Sequence, residues 1–476
     1  MSGKGEHQEL YFLGISGVLM SSLACIAKKM GYEVTGSDHH AYPPATTLLE
    51  SNRIDFFDGY SEANIQSPDM VVLGNHIRKN NVELNAVLSR GLKVVSFPEL
   101  IAQLFSRSKE IIVPAGAHGK STITSMIGHV LVEAAYDPTV LIGAVSKNLG
   151  SSFRIGSDRY LVVEGDEYTS SCLDQTPKFH YYKPSIGIIT SIEQDHVDVY
   201  DTYEKQFQAY EVFSETIRKD GLLLLCADSG GVLALDQVRE DIRIQTYGLS
   251  PGCDWLAYDM AYSEGKNHFK VDRMGAFFGE FALGIPGRHN VQNALAAIAV
   301  ATNIGIPVPA VQEALNSFSG VGKRFELIGK TDDLVVINDY AHHPTAIEKT
   351  LEAVRSQYPE STIWCVYEPH TFTRVKGLLP MYKDVFNAAD HAIVSDIFAA
   401  REESLSDAAH ATDILKVCQD SRAEMIYIPR KEEVLEYLLD NVRPKSVVIF
   451  MTVSDFGNTA GKFFAFEKER GMGQKK

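Results

Sequence analysis

The sequence predicts an α/β protein of three segments, with parallel sheets of the doubly wound type. Three observations carry the prediction. Short apolar runs that stop at a glycine or an acid alternate with helical patterns, which is how strands joined by crossover helices read. One such run feeds a glycine-containing loop that opens a helix. The alternation then starts afresh after Ser319-Gly320-Val321-Gly322, a linker-like stretch. A length of 476 residues, 45% of them hydrophobic, exceeds one ordinary core and fits two to four domains.

The first segment opens with the apolar run 9–13, which stops at Gly14. A helix follows on Met20, Leu23, Ala24, Ala27 and Met30, and further strands read at 32–38, 70–74 and 93–96. The second segment starts with the strand 110–114 and the loop Gly116-Ala117-His118-Gly119-Lys120-Ser121-Thr122. A helix on Ile123, Met126, Ile127 and Val130 comes next, with buried-strand patterns at 160–164 and 186–190. Residues 257–283 read as shorter alternating strands with glycine turns, expected as a small added sheet. The third segment repeats the α/β pattern at 334–339, 363–367 and 447–451, and 469–476 reads as a frayed polar end.

Composition limits the partners. A formal net charge of −16, from 45 Lys+Arg against 61 Asp+Glu, repels nucleic acid and anionic membrane but leaves room for a local cationic pocket. The polar start 1–10 has no apolar core of signal-peptide length, and no apolar run is long enough to span a bilayer, so no membrane insertion is expected. The six cysteines are scattered without CxxC or Cys/His ligand spacing, the pattern of reduced core thiols in a cytoplasmic protein.

The loop 116–122 is the strongest local signal. Backbone N–H groups at a helix start point at phosphate, and the helix dipole favours negative charge there. Lys120 can reach the terminal phosphates of a nucleotide, and the Ser121 hydroxyl can ligate Mg²⁺. The full phosphate-loop pattern has glycine where this chain has Pro114, so the loop is a shortened variant. In a domain with such a loop, Glu164 at a strand end and His196 in Asp195-His196 become candidate metal ligands. His289-Asn290-Val291-Gln292-Asn293 opens a helix whose amides can bond an adenine edge.

Gly116-x-x-Gly119-Lys120-Ser121, Glu164, Asp195-His196, His289-Asn290-x-x-Asn293, Arg324 and Asp339 stand in the order seen in the Mur ligases, and the chain resembles that family over nearly its whole length. The resemblance implies an N-terminal Rossmann-like, UDP-binding domain over 1–106, a central P-loop ATPase domain over 107–320, and a C-terminal Rossmann-like domain over 321–476 that receives an amine. It implies UDP-N-acetylmuramate and ATP as substrates and Mg²⁺ as cofactor, with an acyl phosphate as intermediate. Lys120, Glu164, His196, Arg324 and His342 are the implied catalytic group, with Ser121, Glu164 and His196 as metal ligands. ATP falls to Gly116, His118, Gly119, Lys120, Ser121, Thr122, Asn290, Asn293, Arg324 and Asp339. The UDP-sugar falls to Gly14, Gly17, Asp38 and Asn75, and the amine to His343, His370 and Arg374.

Two branches of the family fit. The opening 14–20 lacks a third glycine, and this, with 37–44, Gly74-Asn75, 165–168 and 178–184, resembles the branch that attaches the recycled tripeptide L-Ala-γ-D-Glu-meso-diaminopimelate. Pro369-His370-Thr371-Phe372-Thr373-Arg374 is nearer the L-alanine-adding branch, except that Thr371 stands where that branch has Arg. The tripeptide in peptidoglycan recycling is therefore the expected amine, and L-alanine in peptidoglycan biosynthesis is the alternative. Ala117 and Ser191 replace the family's usual Thr and Asn with small side chains, which implies tuning of the site and not its loss.

Overall fold

The computed structural model describes residues 8–39, 41–194, 199–236, 239–400, 402 and 408–471. They form three sheets in sequence order. The first has five parallel strands, with Glu9–Leu13 at its centre between Glu33–Asp38 and Met70–Leu73. Phe56–Asp58, three residues long and too short to show a period, is its edge strand and escaped the sequence reading.

The second sheet has ten strands. Glu110–Ala115 lies in parallel between Tyr160–Val163 and Ile186–Ile189, all three apolar apart from Glu110 at the start of the first, in the way that doubly covered strands are. Residues 257–283, expected as a small added sheet, do belong to the middle unit, but as a continuation of its main sheet. Trp255 pairs with Tyr247, so the strands Trp255–Ser263, Lys266–Arg273 and Ala276–Leu283 extend the central sheet. Both rings are buried in one core with the helix Arg288–Asn303, which ties the extension to the rest of the sheet.

The third sheet has six strands, five of them parallel, with Glu326–Lys330 antiparallel at one edge. Cores lie on both of its faces.

The first two sheets share a core. Leu23, Ile26, Phe97 and Leu100 belong to one buried cluster with Phe153, Phe179 and Phe213. The Ser22 and Ser152 hydroxyls meet at 2.9 Å across that seam. Apolar burial at about 25 cal/mol per Å² makes such a shared core the main force holding the two units together. No helix of the described residues is long and apolar enough to cross a membrane.

Candidate active site

In parallel sheets ligands bind beyond the carboxyl ends of the strands. Here the ends of Glu9–Leu13, Glu110–Ala115 and Leu334–Asp339 all open on one cavity of about 2210 Å³, lined from all three sheets.

The phosphate loop leaves its strand at Gly116 and enters the helix Lys120–Glu133 through Gly119, which has φ +84°. A Cβ on Gly116 would lie 2.0 Å from Thr190 Oγ1, and one on Gly119 would lie 2.5 Å from Asn293 Oδ1, so glycine is required twice. The neighbouring strand end holds the loop. The Thr190 hydroxyl donates to the His118 carbonyl at 2.6 Å, and the Ala117 N–H donates to the Ser191 carbonyl at 3.0 Å. The Ser191 hydroxyl accepts from the His118 N–H at 3.3 Å. Ser191 thus supports the loop with a small side chain. Lys120 Nζ donates to the Gly116 carbonyl at 2.6 Å and to both oxygens of the buried Glu167 at 3.0 and 3.2 Å.

Glu164 ends its strand buried. One carboxylate oxygen accepts the Gly143 N–H at 2.6 Å. Burial pushes its carboxyl up, opposed by the Gly143 N–H, the Ser121 hydroxyl and Lys120. A desolvated carboxylate beside a hydroxyl at a phosphate loop is a donor set that suits a hard divalent cation. His196, the third expected ligand, lies outside the described residues. Asp166 faces the same cavity. Although burial works against it, Lys178 at 2.7 Å and Lys120 hold its carboxyl below the ordinary range.

Asn290 and Asn293, both buried, are joined by a 3.1 Å bond from Asn293 Nδ2 to Asn290 Oδ1, and Asn290 Nδ2 donates to the Pro286 carbonyl at 2.6 Å. His289 beside them is lowered to about 4, first by burial and then by Lys349, Arg324 and His118.

The third unit supplies the opposite wall. Arg324 lies over the Tyr340 ring at 4.9 Å. Asp339 lines the cavity, but its two carboxylate oxygens accept the Phe325 and Ala341 N–H groups, each at 2.6 Å. It therefore fixes the turn that carries Arg324. His342 Nδ1 meets the Tyr340 carbonyl at 2.9 Å. Arg374, buried, donates to His370 Nδ1 at 2.6 Å, and the His342 and His370 rings are 5.7 Å apart, so these three gather in one corner. Thr371 beside them has φ +59°, a left-handed conformation that is strained for a β-branched residue. His343 does not join this group. It is buried, and its Nδ1 caps the helix Pro344–Gln357 by accepting the Thr345 N–H at 3.2 Å.

At the first sheet, Gly14 has φ +87° and lines the cavity with Gly17, Asp38 and Asn75. The Asp38 carboxylate accepts the Ser16 N–H at 2.8 Å, the Ser16 hydroxyl at 2.5 Å and the Tyr60 hydroxyl at 3.0 Å, so it shapes the glycine turn.

Sequence reasoning missed Glu193. Its Oε2 meets His118 Nε2 at 3.3 Å and accepts the Thr345 hydroxyl at 2.7 Å, joining the phosphate loop to the third unit. Burial opposes its charge, yet bonds to His118 and Thr345 and the nearby His343 lower its carboxyl to about 2. His118, Glu193 and His343 bring three ligand-type atoms within 4.8 Å of one another, but the His343 nitrogen facing Glu193 is the one that caps the helix. The trio is therefore a junction between units.

Three family profiles match in order: Mur ligase family, catalytic domain, over 9–109; Mur ligase middle domain over 115–301; and Mur ligase, glutamate ligase domain, over 323–452. The UDP-N-acetylmuramate–L-alanine ligase of Alkaliphilus metalliredigens is 34% identical over 453 residues, 94% of this chain and 96% of that one. The crystal structure of the UDP-N-acetylmuramate-alanine ligase of Thermotoga maritima superposes with a TM-score of 0.80 at 23% identity, covering 98% of this chain and 100% of that one, a likeness of fold. The murein peptide ligase structure from Psychrobacter arcticus gives 0.73 at 28% identity, covering 96% and 98%. The chain belongs to the Mur ligase family and is an ATP-dependent ligase that forms amide bonds.

Proposed function

We propose that the protein joins the amino group of L-alanine to the carboxylate of UDP-N-acetylmuramate. The observation that carries this reading is end-to-end similarity, at 34% identity, to ligases of that name. In this reading 1–106 hold the UDP-sugar around Gly14, Gly17, Asp38 and Asn75, 107–320 hold ATP, and 321–476 receive the amine.

A carboxylate is a poor electrophile toward an amine, so it is first phosphorylated. A muramate oxygen attacks the γ-phosphorus of ATP, the bond to the β-phosphate oxygen breaks, and ADP leaves. Such transfer needs in-line placement and positive charge more than covalent help from the protein. Lys120 supplies that charge on moving from Glu167 to the phosphates, and Arg324 supplies it from the facing wall. Ser121 and Glu164, with His196, would hold Mg²⁺, which neutralises phosphate charge when bound. Asn290 and Asn293 present their remaining amide valences to adenine.

The neutral amine then attacks the acyl carbon, and the C–O bond to phosphate breaks. His342 takes the amine proton. Its bond to the Tyr340 carbonyl supports a proton on Nδ1, which makes Nε2 the basic nitrogen. Arg374, oriented by His370, pairs with the carboxylate of the incoming amino acid.

The tripeptide L-Ala-γ-D-Glu-meso-diaminopimelate is a second reading. It is favoured by Thr371 in place of Arg and by the 28% identity to a murein peptide ligase. ATP-dependent phosphate release with UDP-N-acetylmuramate and Mg²⁺, offering L-alanine or the tripeptide, decides between them. Stimulation by L-alanine alone is expected. Stimulation by the tripeptide alone would replace the first reading with the second.

A further inference from the structure

The helix Pro344–Gln357 faces the middle unit along a stripe of every fourth residue. Thr345 donates to Glu193 at 2.7 Å. Ala353 Cβ lies 3.2 Å from where a Cβ on Gly287 would sit, and Gln357 Nε2 donates to the Tyr262 hydroxyl at 2.5 Å. Lys349 occupies the remaining position of the stripe. Half-buried, it lines the cavity and makes no ion pair among the described residues. Its charge is felt by the His289 imidazole and the Cys226 thiol of the middle unit, and by the exposed Glu348 carboxyl next to it on its own helix. The acid on that wall, Asp228, is committed elsewhere: its Oδ2 accepts the Leu249 N–H and Gln292 Nε2, each at 2.6 Å, and its Oδ1 accepts the Ser250 N–H at 3.0 Å.

An ammonium held between two packed turns, against the wall that carries His289, Asn290 and Asn293, is placed to meet an anion that enters the cavity. Lys120 already stands at the loop end of the cavity, so the anion at the Asn290 end is the inner part of a nucleotide's phosphate chain. We propose that Lys349 is a nucleotide-binding residue contributed by the C-terminal unit, and that it contacts the phosphate chain next to the ribose. The proposal rests on the reading of 107–320 as the ATP site and deepens it. Nucleotide recognition and closure of the third unit would then share one side chain.

The test is calorimetric titration of the full chain, with Mg²⁺, by ADP, AMP and adenosine. Lys349→Met should weaken ADP and AMP about tenfold, the ordinary scale of a charge-assisted contact, and leave adenosine within about twofold. Lys349→Arg should recover most of the loss. Equal weakening of adenosine and ADP would make Lys349 a wall of the pocket and overturn the proposal, as would unchanged ADP affinity in Lys349→Met. Failure of the unsubstituted chain to bind ADP is a separate outcome that would overturn the ATP-site reading and this contact with it.

Discussion

Gly116 shows how tightly single residues constrain the site. Its φ of +128° and the 2.0 Å gap between an added Cβ and Thr190 Oγ1 leave no room for a side chain. The backbone strain alone costs about 1–3 kcal/mol, and the clash adds to it. Gly116→Ala is therefore expected to lower the denaturation midpoint and to abolish ADP binding at concentrations that saturate the unsubstituted protein. Unchanged stability and binding would mean that the loop is freer than its geometry indicates. This glycine and Lys120 were legible in the sequence because a phosphate loop is local: strand, turn and helix follow one another. Asp38 and Asp339 were legible as candidates, and both line the cavity, but their bonding was not legible. Each spends its carboxylate on a backbone turn, Ser16 in one case and Phe325 and Ala341 in the other. Residue type and spacing do not reveal which acceptors are already taken.

At the level of elements, periodicity found most of the strands that carry the site and failed where an element is too short or is defined by its neighbour. Phe56–Asp58 is the first kind, and the extension of the central sheet by Trp255–Ser263 is the second. The approach of Gly287, which precedes the helix Arg288–Asn303, to Ala353 of the helix Pro344–Gln357 was also out of reach, since it joins two units distant in sequence. That contact has a titratable reporter in His289. Burial, reinforced by Lys349, Arg324 and His118, lowers the imidazole from 6.5 to about 4. The unfolded chain therefore binds a proton between pH 6.5 and 4 that the folded chain refuses. The stability contributed by the neutral ring is complete above pH 6.5 and is lost as pH falls toward 4. The melting temperature should fall across this window, and His289→Gln should reduce the slope there while leaving the behaviour above pH 7 flat. An identical slope in the variant would assign the acid sensitivity to other groups.

For the molecule as a whole, the reaction imposes a condition that no single unit meets. In the proposed reaction an acyl phosphate open to water would be hydrolysed, so the unit proposed to receive the amine would close on the unit proposed to hold the nucleotide before the intermediate forms. The contacts that join the two units were invisible in the sequence. Glu193 and its partner Thr345 are 152 positions apart, in motifs that each look complete alone. In the structure the Thr345 hydroxyl, His118 and His343 converge on the Glu193 carboxylate, so the junction reports on the phosphate loop and the third unit together. A hydrogen bond to a charged group contributes about 1.5–3 kcal/mol, which is roughly a ten- to hundredfold bias toward the closed arrangement. Thr345→Val keeps the shape and removes the donor. It should weaken ADP by no more than the share of affinity that the third unit supplies, about tenfold, and raise the ratio of phosphate released to amide formed because the acyl phosphate meets water more often. Small-angle scattering with ADP and Mg²⁺ should show a larger radius of gyration for the variant than for the unsubstituted chain. Tight coupling of phosphate release to amide formation in Thr345→Val, with an unchanged radius, would show that closure is held by the apolar contact of Ala353 with Gly287 and not by the Glu193 junction.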